Sequence, residues 1–219
     1  MDKRGNIWWF GGNRGTGKSY EAEKTAESLQ KRIIVYDWTD NESTYGHIAE
    51  INIADLDFRL KPNAKVRIKE NDFDEFVEKC HNLRNTTIII DDATAMFTGV
   101  IPQRLKELLY KAKNNRIEMM FQFHTITDTP PAFLKACNMF VIKATGDSFP
   151  LKTSAPYRQI IEPLIKDCIT ENRNYESGQK WATRLYDVNE EKIYTKIQGL
   201  KFKDSYKKFI TVPEYMGNI

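Results

Sequence analysis

The chain has 219 residues, of which 41% are hydrophobic, and its 33 Lys and Arg against 30 Asp and Glu leave a net charge of +3. This is an ordinary globular composition, long enough for a substantial core and for one domain, or one domain with an appendage. So small a charge does not by itself argue for nucleic acid, the three scattered Cys imply no disulfide framework or metal-ligand spacing, and no apolar run approaches the ~18 residues of a membrane span.

The N-terminal MDKRGN leads straight into a strand, so no signal peptide is expected. Ile7–Phe10 (IWWF) is predicted to be a buried strand ended by Gly11 and Gly12. Ser19–Arg32, rich in Ala, Glu and Lys, predicts a helix, and Arg32–Trp38 a second, β-branched strand. Val66–Lys69 is a short third strand. A helix from Asp72 places Phe73, Phe76, Val77, Cys80 and Leu83 on one face. Thr86–Asp92 (TTIIIDD) is a strand buried on both faces, followed by a helix over Gln103–Asn114 behind Pro102. Ile117–His124 (IEMMFQFH) is the next strand. A short helix over Pro131–Ala136 leads to a strand over Met139–Ala144.

Uniformly apolar strands alternating with helices predict an α/β fold: a mainly parallel sheet flanked by helices. The Gly- and Pro-containing stretch Thr145–Pro156 reads as a loop that ends this core. The division is therefore 1–150 for the core and 151–219 for a C-terminal appendage packed on it. The appendage holds a helix (Gln159–Asn172) and a β-hairpin within Thr183–Ile197 turning near Asn189 and Glu190.

Between the first strand and the first helix, Gly12–Ser19 spells GNRGTGKS, matching G-x-x-x-x-G-K-[ST] in the context that gives the pattern its meaning. Main-chain N–H groups can wrap a polyphosphate only where the backbone is glycine-like and no Cβ intrudes, and the following helix adds its positive end. The nucleotide-binding set is thus Gly12, Asn13, Arg14, Gly15, Thr16, Gly17, Lys18, Ser19 and Tyr20. Lys18 is the cation for the β- and γ-phosphates, and the Ser19 hydroxyl is a ligand for Mg²⁺.

Such a cradle needs an acid to manage the metal. Asp91 emerges at the C-terminal edge of TTIIID, where open α/β sheets bind ligands, and is expected to hold Mg²⁺ through water. Asp92, one residue on, suits polarising an attacking water ahead of serving as a helix N-cap or a solvated loop acid. A strand inserted beside the first one, with a polar tip, would complete a hydrolytic site. Ile117–His124 fits, with His124 positioned to hydrogen-bond a γ-phosphate or simply to close the strand. Gln122 is expected to point into the sheet packing.

Three stretches, FGGNRGTGKS, TIIIDDA and IEMMFQFHTITDTPPAFLKACNMFVI, resemble the RecA-like additional-strand P-loop ATPases, and within them the HerA–FtsK superfamily of DNA pumps. The resemblance covers roughly Ile7 to Ala144. It implies ATP as the nucleotide and an ATPase acting on double-stranded DNA as a ring, a hexamer or pentamer. Two groups in the superfamily are about this compact: genome-packaging ATPases of internal-membrane-containing viruses, and filamentous-phage assembly ATPases of the zonular-occludens-toxin type. The latter normally carry a transmembrane helix, so the reading leans to packaging, in the host cytoplasm or virion, with a capsid or membrane-bound assembly protein as a further partner. The chain departs from the family where Asp92 stands for its usual Glu and His124 for a frequent Gln. In such rings a neighbour's Arg reaches the γ-phosphate, and Arg104 and Arg116 are the candidates.

For DNA contact, Lys192–Lys208 holds six Lys and one acid with Tyr194, Phe202 and Tyr206 interleaved, a pattern that suits nucleic acid but is met better by a half-buried hairpin with Lys stems over it, because KIYTKI alternates. The polar loop after Trp38 and Lys106, Lys111 and Lys113 are other candidates. Two readings of different class stand beside the translocase: a small-molecule kinase with its acceptor near Asp37 or Asp91, and a nucleotide-gated assembly protein that hydrolyses poorly.

Overall fold

The computed structural model describes residues 4–57, 60–97, 100–127, 129–148, 157–175, 180–197 and 202–219, without the side chains of 202 and 203. In chain order, β1 (Ile7–Gly11) leads through α1 (Lys18–Ser28) to β2 (Arg32–Tyr36), then to α2 (Glu42–Tyr45) and β3 (Ala49–Glu50). The alternation continues with β4 (Lys65–Ile68), α3 (Phe73–Cys80), β5 (Thr86–Ile90), α4 (Gln103–Asn115), β6 (Glu118–Phe123), α5 (Pro131–Ala136) and β7 (Met139–Ile142). Then come α6 (Arg158–Arg173), the hairpin β8 (Arg184–Asp187) and β9 (Lys192–Thr195), α7 (Phe202–Ser205), β10 (Lys208–Thr211) and α8 (Val212–Gly217).

All strands join one 10-stranded sheet in the order β10-β9-β8-β7-β1-β6-β5-β2-β4-β3. Every pairing from β7 across to β3 is parallel. β8, β9 and β10 extend the sheet antiparallel beyond β7. β6 is inserted between β1 and β5, so Met120 lies opposite both Trp8 and Ile89. The expected mainly parallel, helix-flanked sheet with a C-terminal helix and hairpin is therefore present. The expected core boundary at 150/151, and residues 149–156 of the loop that holds it, lie outside the described residues.

The strands β1, β2, β5, β6 and β7 are buried along their whole length because helices cover both faces. Trp8, Phe10, Ile33, Val35, Ile89 and Met120 pack with Ala22 and Ala26 of α1 on one side. Ile7, Trp9, Ile34, Tyr36, Ile88, Ile90, Met119 and Phe121 pack on the other against residues of α3, α4, α5 and α6. Each strand thus alternates its faces with period two. A fully buried side chain such as Trp9 or Phe10 contributes roughly 1.5–3 kcal/mol of hydrophobic stabilisation. α1 ends earlier than expected, at Ser28, because Gln30 adopts a positive φ of 53° that turns the chain into β2.

Candidate functional site

At the C-terminal edge of β1, β5 and β6, the loop from Gly12 to Gly17 faces a cleft of about 560 Å³. Gly15 and Gly17 take positive φ values of 75° and 77°, the left-handed region that favours glycine. Gly17 also offers no side chain to cap α1, so the positive end of that helix is directed at the cleft. The loop is anchored behind: Asn13 N donates to Ala144 O at 3.0 Å, Thr145 Oγ1 to Asn13 Oδ1 at 3.1 Å, and Thr16 Oγ1 to Asn13 O at 2.8 Å. Arg14 lies on the cleft wall, and the 57% exposed Tyr20 on its lip.

Lys18 is buried, and its ammonium donates to the carbonyls of Gly12 (2.7 Å) and Asn13 (2.9 Å). Burial, set against the attraction of Asp91, brings its pKa down to about 8, so it remains mostly protonated at neutral pH. Its Nζ also lies 3.2 Å from His124 Nδ1, and His124 Nε2 lies 3.5 Å from Asp92 Oδ2. Burial, and next the Lys18 charge, lower the His124 pKa. A neutral ring that accepts from Lys18 at Nδ1 carries its proton on Nε2, directed at Asp92. Asp92 holds a positive φ of 44° at the head of the short turn Ala93–Met96, and its side chain caps nothing there.

Asp91 sits beside the loop, accepting from Ser19 Oγ at 3.2 Å and from Asn41 Nδ2 at 3.3 Å. Its pKa is raised to about 6, first by burial and further by Asp37 and Asp92, against the Asn41 and Ser19 hydrogen bonds. An added cation would relieve a carboxylate so placed. The Ser19 hydroxyl and Asp91 therefore fit a Mg²⁺ site, since that ion needs only one or two protein ligands besides phosphate and water. Among the described residues no cluster of three or more His, Cys, Asp or Glu forms a protein-only metal cage.

Two residues of this neighbourhood escaped the sequence reading. Asn41 comes from the loop after β2, whose shape rests on a buried ion pair: Arg67 Nε donates to Asp37 Oδ2 at 2.9 Å, and Asp37 takes the Asn41 amide at 2.9 Å. Arg67 reaches Asp40 and Glu42 as well, both at 2.6 Å. Replacing Arg67 by Met is expected to cost about 3–5 kcal/mol in urea unfolding, because Asp37 is left charged and buried. A loss under about 1 kcal/mol, the size of a surface pair, would contradict this. The other residue is Gln122. It does lie within the sheet packing, but its side chain reaches the site, accepting from Ser19 Oγ at 2.8 Å.

The remaining candidates lie elsewhere. Arg104, on α4, pairs with Glu78 at 3.0 Å, and Arg116 caps the far end of α4 with φ 57°. Neither lines the cleft of its own chain. In the Lys-rich segment Lys192 pairs with Glu190 at 2.9 Å, Lys207 with Asp204 at 2.8 Å, and Lys196 with Glu21 of α1. Tyr206 donates to Glu21 at 2.7 Å, and Tyr194 packs on Phe209 with ring centroids 5.6 Å apart. Residues 198–201 and the side chains of 202 and 203 lie outside the described residues.

No protein-family model and no curated protein sequence matches this chain. Solved structures do. The genome-packaging NTPase B204 of Sulfolobus turreted icosahedral virus 2 superposes with a TM-score of 0.63 in its ATP-γ-S complex, at 16% identity over 89% of this chain and 97% of that one. Its sulfate complex gives 0.66 at 16% identity, over 90% and 98%. B204 of Sulfolobus turreted icosahedral virus, described as a DNA-packaging ATPase, gives 0.58 at 14% identity, over 89% and 98%. Likeness at such identity establishes the fold, and the chain accordingly has the RecA-like, additional-strand P-loop NTPase fold that these viral packaging NTPases share.

Proposed function

We propose that this chain is an ATP hydrolase that drives DNA into a viral particle, working as a ring in the cytoplasm of the host cell. The observation that carries the reading is the convergence of Lys18, Ser19, Asp91, Asp92 and His124 on one cleft behind a glycine-rich loop. In this reading the loop amides and Lys18 hold the polyphosphate. Ser19 and Asp91 hold Mg²⁺, which would supply charge neutralisation on the phosphate oxygens. Asp92, oriented by His124, accepts a proton from the attacking water. Arg104 or Arg116 serves a neighbour's site, consistent with their distance from their own. The superposed structures are genome-packaging NTPases, solved among others with ATP-γ-S and AMPPCP, and this supports packaging over the other P-loop chemistries.

Among the described residues no helix is long and apolar enough to cross a membrane. The paired lysines and packed aromatics of the C-terminal segment favour a packing role there over a DNA groove.

Phosphate release from ATP is expected to rise severalfold on adding double-stranded DNA, under conditions where native mass measurement shows a pentamer or hexamer. A monomer whose turnover ignores DNA, or phosphate passed to a nucleoside or metabolite, would overturn the reading.

A further inference from the structure

Ser19 is asked to do two things with one hydroxyl. A Ser hydroxyl has one proton and two lone pairs. Binding a cation requires a lone pair toward the metal and the proton turned away. Two acceptors stand within reach of that proton, Gln122 Oε1 at 2.8 Å and Asp91 Oδ1 at 3.2 Å. Donation to Asp91 would occupy a lone pair of the carboxylate that the cation needs. Donation to Gln122 leaves Asp91 Oδ1 available, and Asp91 does not depend on Ser19 for its orientation, because Asn41 Nδ2 already holds Oδ2.

Gln122 is unusual in its surroundings. It is 1% exposed, in a strand whose next residue on the same face is Met120. A Met or Leu would pack there without the cost of desolvating an amide. The amide is instead satisfied at both ends: Oε1 takes the Ser19 proton, and Nε2 donates to the hydroxyl of Tyr45 at 2.8 Å. Tyr45 is itself fully buried at the end of α2.

Resting on the ATPase reading, we propose that Gln122, held by Tyr45, is the positioning residue that takes the Ser19 proton and so frees Ser19 and Asp91 for the divalent cation. Gln122 and Tyr45 touch neither nucleotide nor metal in this arrangement and act only through Ser19. Removing such an outer partner of a metal ligand typically costs about 10–100-fold in metal affinity.

The test is the binding of a non-hydrolysable ATP analogue by calorimetry, with Mg²⁺ and with EDTA, to the wild-type chain, Gln122→Leu and Tyr45→Phe. The wild type is expected to bind more tightly with Mg²⁺. The ratio of the two affinities is expected to fall at least about tenfold in Gln122→Leu and by less, in the same direction, in Tyr45→Phe. Affinity in EDTA should match the wild type in both, which a merely structural lesion would not allow. If Gln122→Leu does not fold, Tyr45→Phe, which removes one oxygen and no carbon, decides the matter. A Mg²⁺ dependence retained in full by the variants would overturn the inference alone. A wild type that binds the analogue equally with and without Mg²⁺ would overturn the ATPase reading and the inference with it.

Discussion

Lys18→Ala is expected to lower ATP turnover by at least about 10²–10³-fold, the cost of deleting one charged group that stabilises transition-state charge, while the protein stays folded. The structure explains both halves. The ammonium is buried, donates to the Gly12 and Asn13 carbonyls and lies beside the His124 ring. These are the groups that surround the cleft, so a modest change of side-chain torsion redirects the charge to a phosphate at the same loop. Folding gains little from it, since burial already disfavours the charged form enough to bring the pKa down to about 8. Circular dichroism and thermal melting should therefore resemble the wild type while phosphate release disappears. Turnover within about twofold of wild type, a difference too small for a lost charge contact, would remove Lys18 from the mechanism.

Asp92→Asn should lower turnover about 10²–10⁴-fold, the usual worth of a positioned general base, and leave nucleotide binding with Mg²⁺ intact. The substitution is chosen for its conformational silence: Asn tolerates the left-handed region at least as well as Asp, and Asp92 sits there with φ 44°. Because its side chain caps no turn, the loss of the carboxylate removes no structural hydrogen bond of that kind. What it removes is the negative charge and the basic oxygen facing His124 Nε2 across 3.5 Å, since an amide oxygen there still accepts a hydrogen bond but takes up no proton. A quench-flow or steady-state phosphate assay beside an analogue-binding titration separates the two effects. Undiminished turnover would return Asp92 to the role of a solvated loop acid.

Much of this site was legible in the sequence because it depends on local rules. The glycine-rich loop follows a strand and precedes a helix, and its Lys and Ser stand where that geometry needs them. Asp91 follows an unbroken apolar strand, so its place at the sheet's C-terminal edge followed from strand length alone. The insertion of β6 beside β1 was anticipated from the polar tip of an apolar strand. The hairpin β8–β9 was visible as alternating residues around Asn189 and Glu190, though its attachment to β7, which makes it part of the main sheet, has no local signal.

What was missed depends on tertiary contact. α2, β3, β10 and α8 are too short to show periodicity. Asn41 reaches Asp91 only because Arg67, far along the chain on β4, ties down the loop that carries it. Gln122 did leave a signal. With period two, Met120, Gln122 and His124 share the face that α1 covers, so a residue on that face near the strand's end points toward Ser19 rather than away from it. Arg104 and Arg116 show the opposite limit: the role proposed for them at a neighbouring subunit would leave no trace in the contacts of their own chain.

The most direct test of the central claim is a crystal structure of the chain with a non-hydrolysable ATP analogue and Mg²⁺. The account predicts the β- and γ-phosphates within the loop Gly12–Ser19, Lys18 Nζ turned from the Gly12 and Asn13 carbonyls onto phosphate oxygen, and the ion beside Ser19 and Asp91. A nucleotide bound elsewhere on the sheet, or a magnesium ion remote from Asp91, would contradict it.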